Sequence, residues 1–218
     1  MKKVLILVEG LTEERFIKGV VVPHLWTRGK HVVPTLVTTK RVKQGAHFKG
    51  GVNSYSKVEN DLNRLLGDRQ AVKVTTFIDY YGLPSDFPGM ADRPKGKSSD
   101  RARYVEASWK DQIDSHCFHP FLMIHEFEAL LFSKPEELSS TLHQPNILEK
   151  LFTIRNTFPS PEDINDDPLH APSKRIINLL PRFEKSVHGP LVAQRIGLDI
   201  LRKQCPHFNQ WISWLEDL

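Results

Sequence analysis

Five carboxylates stand where this chain could do chemistry. Glu9 closes the run Val4-Leu5-Ile6-Leu7-Val8-Glu9, and Gly10-Leu11-Thr12 lead on to Glu13, four residues further. Asp79 closes Val72-Lys73-Val74-Thr75-Thr76-Phe77-Ile78-Asp79. Glu126 and Glu128 follow a third run in Leu122-Met123-Ile124-His125-Glu126-Phe127-Glu128. Short apolar runs of this kind are the mark of buried parallel strands, and open parallel sheets bind ligands at the carboxyl ends of their strands. Carboxylates gathered there repel one another unless a cation lies between them, and hard oxygen donors suit Mg²⁺ or Mn²⁺. Any one of these acids alone is more simply a solvated loop residue or a helix cap, and Glu13 and Glu14 alone would be ordinary first-turn partners of a helix dipole. Acids at three strand ends together favour a metal site.

The elements that must position these acids alternate in the βα manner. Strands are expected at Lys3–Val8, His31–Thr38, Val72–Ile78 and His119–Ile124. Helices are expected from a Thr12 cap onward, over Ser54–Leu66 and over Asp100–Ile113. This predicts an α/β fold, a Rossmann-like parallel sheet with helices on both faces, over residues 1–133. Beyond it the strand signals stop. Helices at Pro135–Leu142, Ile147–Phe158, Ser173–Phe183, Pro190–Gln204 and His207–Leu215 make residues 134–218 a C-terminal helical subdomain. The Pro- and Gly-rich stretch Tyr80–Ser98 adjoins Asp79 and is expected to be mobile or functional, able to act as a gate that a partner opens. Trp211, Ile212 and Leu215 share one face of the last helix, as a docking surface or as an internal core contact.

Composition narrows the function. No apolar run approaches the ~18 residues of a membrane helix, and Val4–Val8 is too short for a signal-peptide core, so the expectation is a cytoplasmic protein without membrane association. Cys117 and Cys205 lack any zinc or CxxC spacing and are expected as reduced thiols. There is no P-loop, no GxGxxG and no HExxH. The net charge is only +4, but it is unevenly spread, because no acid occurs between Glu14 and Glu59. Lys40, Arg41, Lys43 and Lys49 in that stretch are the candidate nucleic-acid contacts, with a merely solvated face as the alternative.

The Glu-Gly turn followed by a helix, with Asp79 at a later strand end, resembles the Toprim fold. Val8-Glu9-Gly10-Leu11-Thr12-Glu13 is similar to the Toprim nuclease domains of the overcoming-lysogenization-defect (OLD) family. The stretches Asp79-Tyr80-Tyr81-Gly82-Leu83-Pro84-Ser85-Asp86, His125-Glu126-Phe127-Glu128-Ala129-Leu130-Leu131-Phe132 and Ala171-Pro172-Ser173-Lys174-Arg175-Ile176 resemble, more closely, the Toprim-like prokaryotic domain-of-unknown-function family 4276. Members of that family are often encoded beside ATPases in what look like anti-phage modules. The resemblance implies a Mg²⁺- or Mn²⁺-dependent nuclease acting on nucleic acid as effector of a separate ATPase partner; DNA is expected ahead of RNA, a choice the sequence itself does not make. It implies metal ligation by Glu9, Glu13, Asp79, Glu126 and Glu128, with Glu9, Asp79 and Lys174 as the catalytic set and Lys174 stabilising the transition state. Where Toprim proteins usually carry Asp-x-Asp, Tyr81 stands at the third position, and Asp86 is the expected substitute ligand. A non-catalytic nucleic-acid or partner-binding module, and a phosphoryl-transfer enzyme acting on a small nucleotide, remain the alternatives.

Overall fold

The computed structural model describes residues 1–38, 52, 54–164, 167 and 169–218; Lys40, Arg41, Lys43 and Lys49 lie outside the described residues. β1 (Lys2–Val8) leads into α1 (Leu11–Phe16), a π-helical turn at Ile17–Val21 and α2 (Val22–Trp26), which return the chain to β2 (Lys30–Leu36). α3 (Tyr55–Leu66), β3 (Ala71–Asp79) and α4 (Ser98–Ile113) follow, then two short strands, β4 (Phe118–His119) and β5 (Leu122–Met123). A 3₁₀ segment, Phe127–Ser133, opens the helical remainder. It comprises α5 (Pro135–Thr141), α6 (Leu148–Asn156), α7 (Pro172–Leu179), α8 (Lys185–Ile196), α9 (Leu198–Gln204) and α10 (Pro206–Asp217). The strand order is β2-β1-β3-β4, with β5 beside β3 past the end of β4, and every described pairing is parallel. The fold is a mixed α/β one, a parallel sheet flanked by helices, as the sequence predicts.

Strand alternation divides the core in two. Val4, Ile6, Val8 and Phe77 face one side, against α1, the 3₁₀ segment and the helices from α5 onward. Leu5, Leu7, Val74 and Ile78 face the other, against α3 and α4. The helices after residue 134 thus share one core with the sheet. Trp211 of α10 is its centre, 2% exposed. Its ring stacks on Phe121 at 4.7 Å, and its Nε1 donates to Thr75 Oγ1 at 3.0 Å. Glu162 fixes where α10 begins, because its carboxylate accepts from the backbone N–H groups of His207 and Phe208 at 2.9 and 2.8 Å, two donors a helix start leaves without partners.

Three expectations change, and one pair of alternatives is decided. The first helix begins at Leu11 with Gly10 as its N-cap and no side-chain cap, so Thr12 lies inside it. The strand expected at His119–Ile124 is interrupted, because Pro120 has no N–H for the ladder. Thr76 fills the gap: its hydroxyl donates to the Phe121 carbonyl at 2.8 Å and accepts from the Phe121 N–H at 2.9 Å. The helix expected over Pro190–Gln204 is two helices, divided at Gly197 (φ 82°), and the first starts five residues earlier at Lys185. Pro190 inside it cannot donate to the Ser186 carbonyl, which accepts instead from Arg15 Nη1 at 2.5 Å. Finally, Trp211, Ile212 and Leu215 are all buried, so that stripe is core and offers no docking surface.

Candidate functional site

The strand order sets the site. β1 hands the chain to β2 on one side, while β3 hands it to β4 on the other. A crevice opens at such a switch point, at the carboxyl ends of the two adjacent strands. Glu9 follows β1 and Asp79 ends β3, so both stand at this end of the sheet, each half-buried. They are tied in series. The Asp79 N–H donates to Glu9 Oε2 at 3.2 Å, and the Phe127 N–H donates to Asp79 Oδ1 at 3.0 Å. Glu13, from α1, lies beneath them; a Cβ on Gly10 would stand 3.1 Å from its Oε2, so the glycine leaves room for the carboxylate as well as making the turn.

Past β3 the backbone is bolted to the segment that carries the remaining acids. The Tyr80 and Tyr81 N–H groups donate to the carbonyls of Met123 and His125, both at 2.8 Å. His125 holds a left-handed φ of 64°, uncommon for a residue with a Cβ, and this turn delivers Glu126 and Glu128 to the crevice. Both are buried. Glu126 accepts from the N–H and hydroxyl of Ser173, at the start of α7, and from Lys185 Nζ at 3.0 Å. Lys185 Nζ also lies 3.3 Å from Glu128 Oε2. Gly189 permits this reach, because α8 presses on the Phe127 ring so closely that a Cβ there would meet Phe127 Cε1 at 3.1 Å.

The five acids lie within one another's fields. Burial first, then Glu9, Glu13, Glu128 and Glu126, push Asp79 well above the usual carboxylate range. Burial, with repulsion from Glu9, raises Glu13 to about 7. Burial raises Glu128 to about 7 despite the Lys185 ammonium beside it. Glu9 is raised chiefly by burial, opposed by the Asp79 N–H. By the chemistry of its donors the cluster suits a hard divalent cation, although among the described residues no three His, Cys, Asp or Glu side chains form a group arranged to hold a metal ion.

Two site residues expected from the sequence are placed elsewhere. Asp86 turns both carboxylate oxygens to the Tyr55 N–H at 3.3 Å, at the start of α3. The loop that carries it is pinned by Phe87, buried between Trp109 and Tyr55 with ring centroids at 4.7 and 5.1 Å, which is packing a freely swinging gate would lack. Lys174 is exposed on α7, and the ammonium that meets the acids is that of Lys185. The sequence conceals Lys185, because Pro190 looks like the first turn of a helix. Ser173, the other missed partner, lies inside a motif already singled out. Of the described cations in the acid-free stretch, Arg15, Lys18, Arg28 and Lys30 are engaged with Ser186, Glu14 and Glu216.

A parallel α/β sheet with acids gathered at its switch point defines the class of protein. Within it, the chain belongs to the family described as Domain of unknown function (DUF4276), which matches residues 8–216. Two solved structures of the C-terminal region of the Xanthomonas campestris pv. campestris OLD protein are similar to it. One, phased with mercury, is 15% identical with a TM-score of 0.41, covering 98% of each chain. The other, phased with iodine, is 17% identical with a TM-score of 0.39, covering 100% of this chain and 99% of that one. No curated protein matches the chain. Among the described residues no helix is long and apolar enough to cross a membrane.

The raised acids make stability depend on pH. Unfolded, Glu13 and Glu128 ionise near 4.5; folded, they keep their protons up to about 7. Their contribution is therefore fully present below 4.5 and lost as pH rises through 7, on the order of a few kcal/mol. In EDTA the thermal midpoint should fall steadily from pH 5 to pH 8. Scanning calorimetry across that range checks it, and a flat profile would remove the repulsive cluster.

Proposed function

We propose that the crevice binds Mg²⁺ or Mn²⁺ and hydrolyses phosphodiester bonds in nucleic acid, DNA rather than RNA, as the effector of a separate ATPase in an anti-phage module. The observation that carries this is the convergence of Glu13, buried, with Glu9 and Asp79, half-buried, all mutually repelling at the switch point of a parallel sheet. A protein gains nothing in stability from acids held so; a cation-dependent activity accounts for them. Glu9, Glu13 and Asp79 would hold the cation, which would supply Lewis acidity toward a phosphoryl oxygen and an attacking water. The chain's own groups do the rest. The Asp79 and Phe127 N–H groups fix the aim of two carboxylates, and Lys185 sets a positive charge where a phosphate gains negative charge. A second reading, a binding module without catalysis, is favoured by the absence of a ready-made ion-holding group among the described residues.

Plasmid and oligonucleotide cleavage separates the two. The isolated chain with Mn²⁺ is expected to cleave weakly, and the chain co-purified with a genomically adjacent ATPase strongly. Absence of cleavage by that complex on DNA and RNA, with nucleic-acid binding retained, would establish the binding module instead.

A further inference from the structure

A cavity of about 410 Å³ opens between α4 and α10, over the edge strand β4, and none of the five acids lines it. Its volume falls in the roughly 300–1,000 Å³ range of small-ligand sites. The floor is made of rings. Phe121 stacks on His207, at 5.1 Å and 21°, and on Trp211, at 4.7 Å and 18°. Beside them His119 and Trp214, both half-buried, stack at 3.9 Å and 13°. Flat rings that line a cavity form a platform for another flat ring.

The polar groups of the cavity differ in how far their partners are spent. Glu106 accepts from the Leu122 N–H at 2.7 Å and pairs with His207 Nε2 at 2.9 Å. His207 is 6% exposed, and its Nδ1 has no hydrogen-bond partner among the described residues. Lys110 donates to the carbonyls of Ser115 and Phe118. Arg103 is exposed, meets no carboxylate among the described residues, and gives one N–H to Gln210 Oε1 at 3.3 Å. The charge left over is positive. Burial first, then Lys110 and Lys73, push His119 down to about 4, so its ring stays neutral within that field. An extended peptide is a common visitor to an open sheet edge. Here Pro120 offers no N–H and Lys110 takes the Phe118 carbonyl, so a peptide finds no ladder to extend.

We propose that this cavity binds a nucleotide, with its base against the aromatic wall and its phosphate on the Arg103 guanidinium. A guanidinium is a planar fork of donors that matches phosphate oxygens. The Gln210 amide can both donate to and accept from the edge of a base. The site shares no residue with the acids and stands independently of the cleavage reading.

Calorimetric titration of the full-length protein in EDTA tests this, because cation binding at the acids then plays no part. AMP should bind saturably, and roughly tenfold or more tighter than adenosine or ribose 5-phosphate, since base and phosphate each contribute. Arg103→Gln, at an exposed position, should weaken AMP by roughly tenfold while changing adenosine by less than about threefold. Trp214→Leu should weaken both alike. Displacement of AMP by a short oligodeoxyadenylate identifies the source of the base: tighter binding than AMP assigns a nucleotide within a strand, weaker binding a free one, and either supports the site. Absence of saturable binding at millimolar AMP, equal affinity for AMP and adenosine, or wild-type AMP affinity in Arg103→Gln would overturn the proposal and leave the cleavage reading standing.

Discussion

Glu9→Gln and Asp79→Asn should each lower the proposed phosphodiester cleavage by on the order of a thousandfold, the scale that a single electrostatic group commands in an active site. The two residues end adjacent strands at the switch point, and the Asp79 N–H binds the Glu9 carboxylate, so either change removes a charge from the cluster. The same variants should melt higher than the wild type in EDTA at pH 8, because each relieves repulsion among buried acids. Activity and metal-free stability moving in opposite directions is a signature that general damage to the fold cannot produce. Rates are measured in whichever preparation cleaves, alone or with the ATPase, and melting by calorimetry. Wild-type rates in both purified variants would end the assignment of this site.

Trp211→Ala should destabilise the protein by about 3–5 kcal/mol, the cost of removing a buried aromatic and leaving a cavity. That corresponds to a fall in thermal midpoint of roughly 10 °C or more for a chain of this length. The residue stacks on Phe121, lies 5.3 Å from Phe77 and 6.0 Å from Phe208, and satisfies Thr75 with its indole N–H. Trp211→Phe keeps most of the contact and should lose less than half as much. Denaturant titration of the two variants measures the difference. If Trp211→Ala unfolded at the wild-type midpoint, α10 would not be covering the sheet.

Much of this was legible in the sequence. Periodicity marks β1, β3 and the helices on either side of them, and apolar runs ending in acids locate Glu9 and Asp79 without any knowledge of contacts. What escaped depends on long-range partners. Pro120 interrupts a strand, and the repair comes from Thr76, which bonds Phe121 forty-five positions away. Pro190 sits inside a helix because Arg15, far off in sequence, takes the carbonyl it leaves. That misplaced helix start hid Lys185, and with it the cation that meets Glu126 and Glu128. Asp86 shows the opposite failure. An acid near the site in sequence was drawn into it by proximity, whereas the fold spends it on the first turn of α3.

The face of the sheet formed by Val4, Ile6 and Phe77 is roofed largely by residues beyond 127, with Trp211 at the centre. On the ribosome those strands emerge before the helices that roof them. A hundred-odd further residues, at roughly 5–20 per second, must be made before α10 exists. For on the order of ten seconds the nascent strands present an apolar surface without its roof, which is the situation in which chains meet chaperones or one another. The crevice is assembled from both ends of that interval, Glu9 and Asp79 before it and Lys185 near its close. A ribosome-bound fragment therefore carries the acids before it carries the ammonium that quiets them.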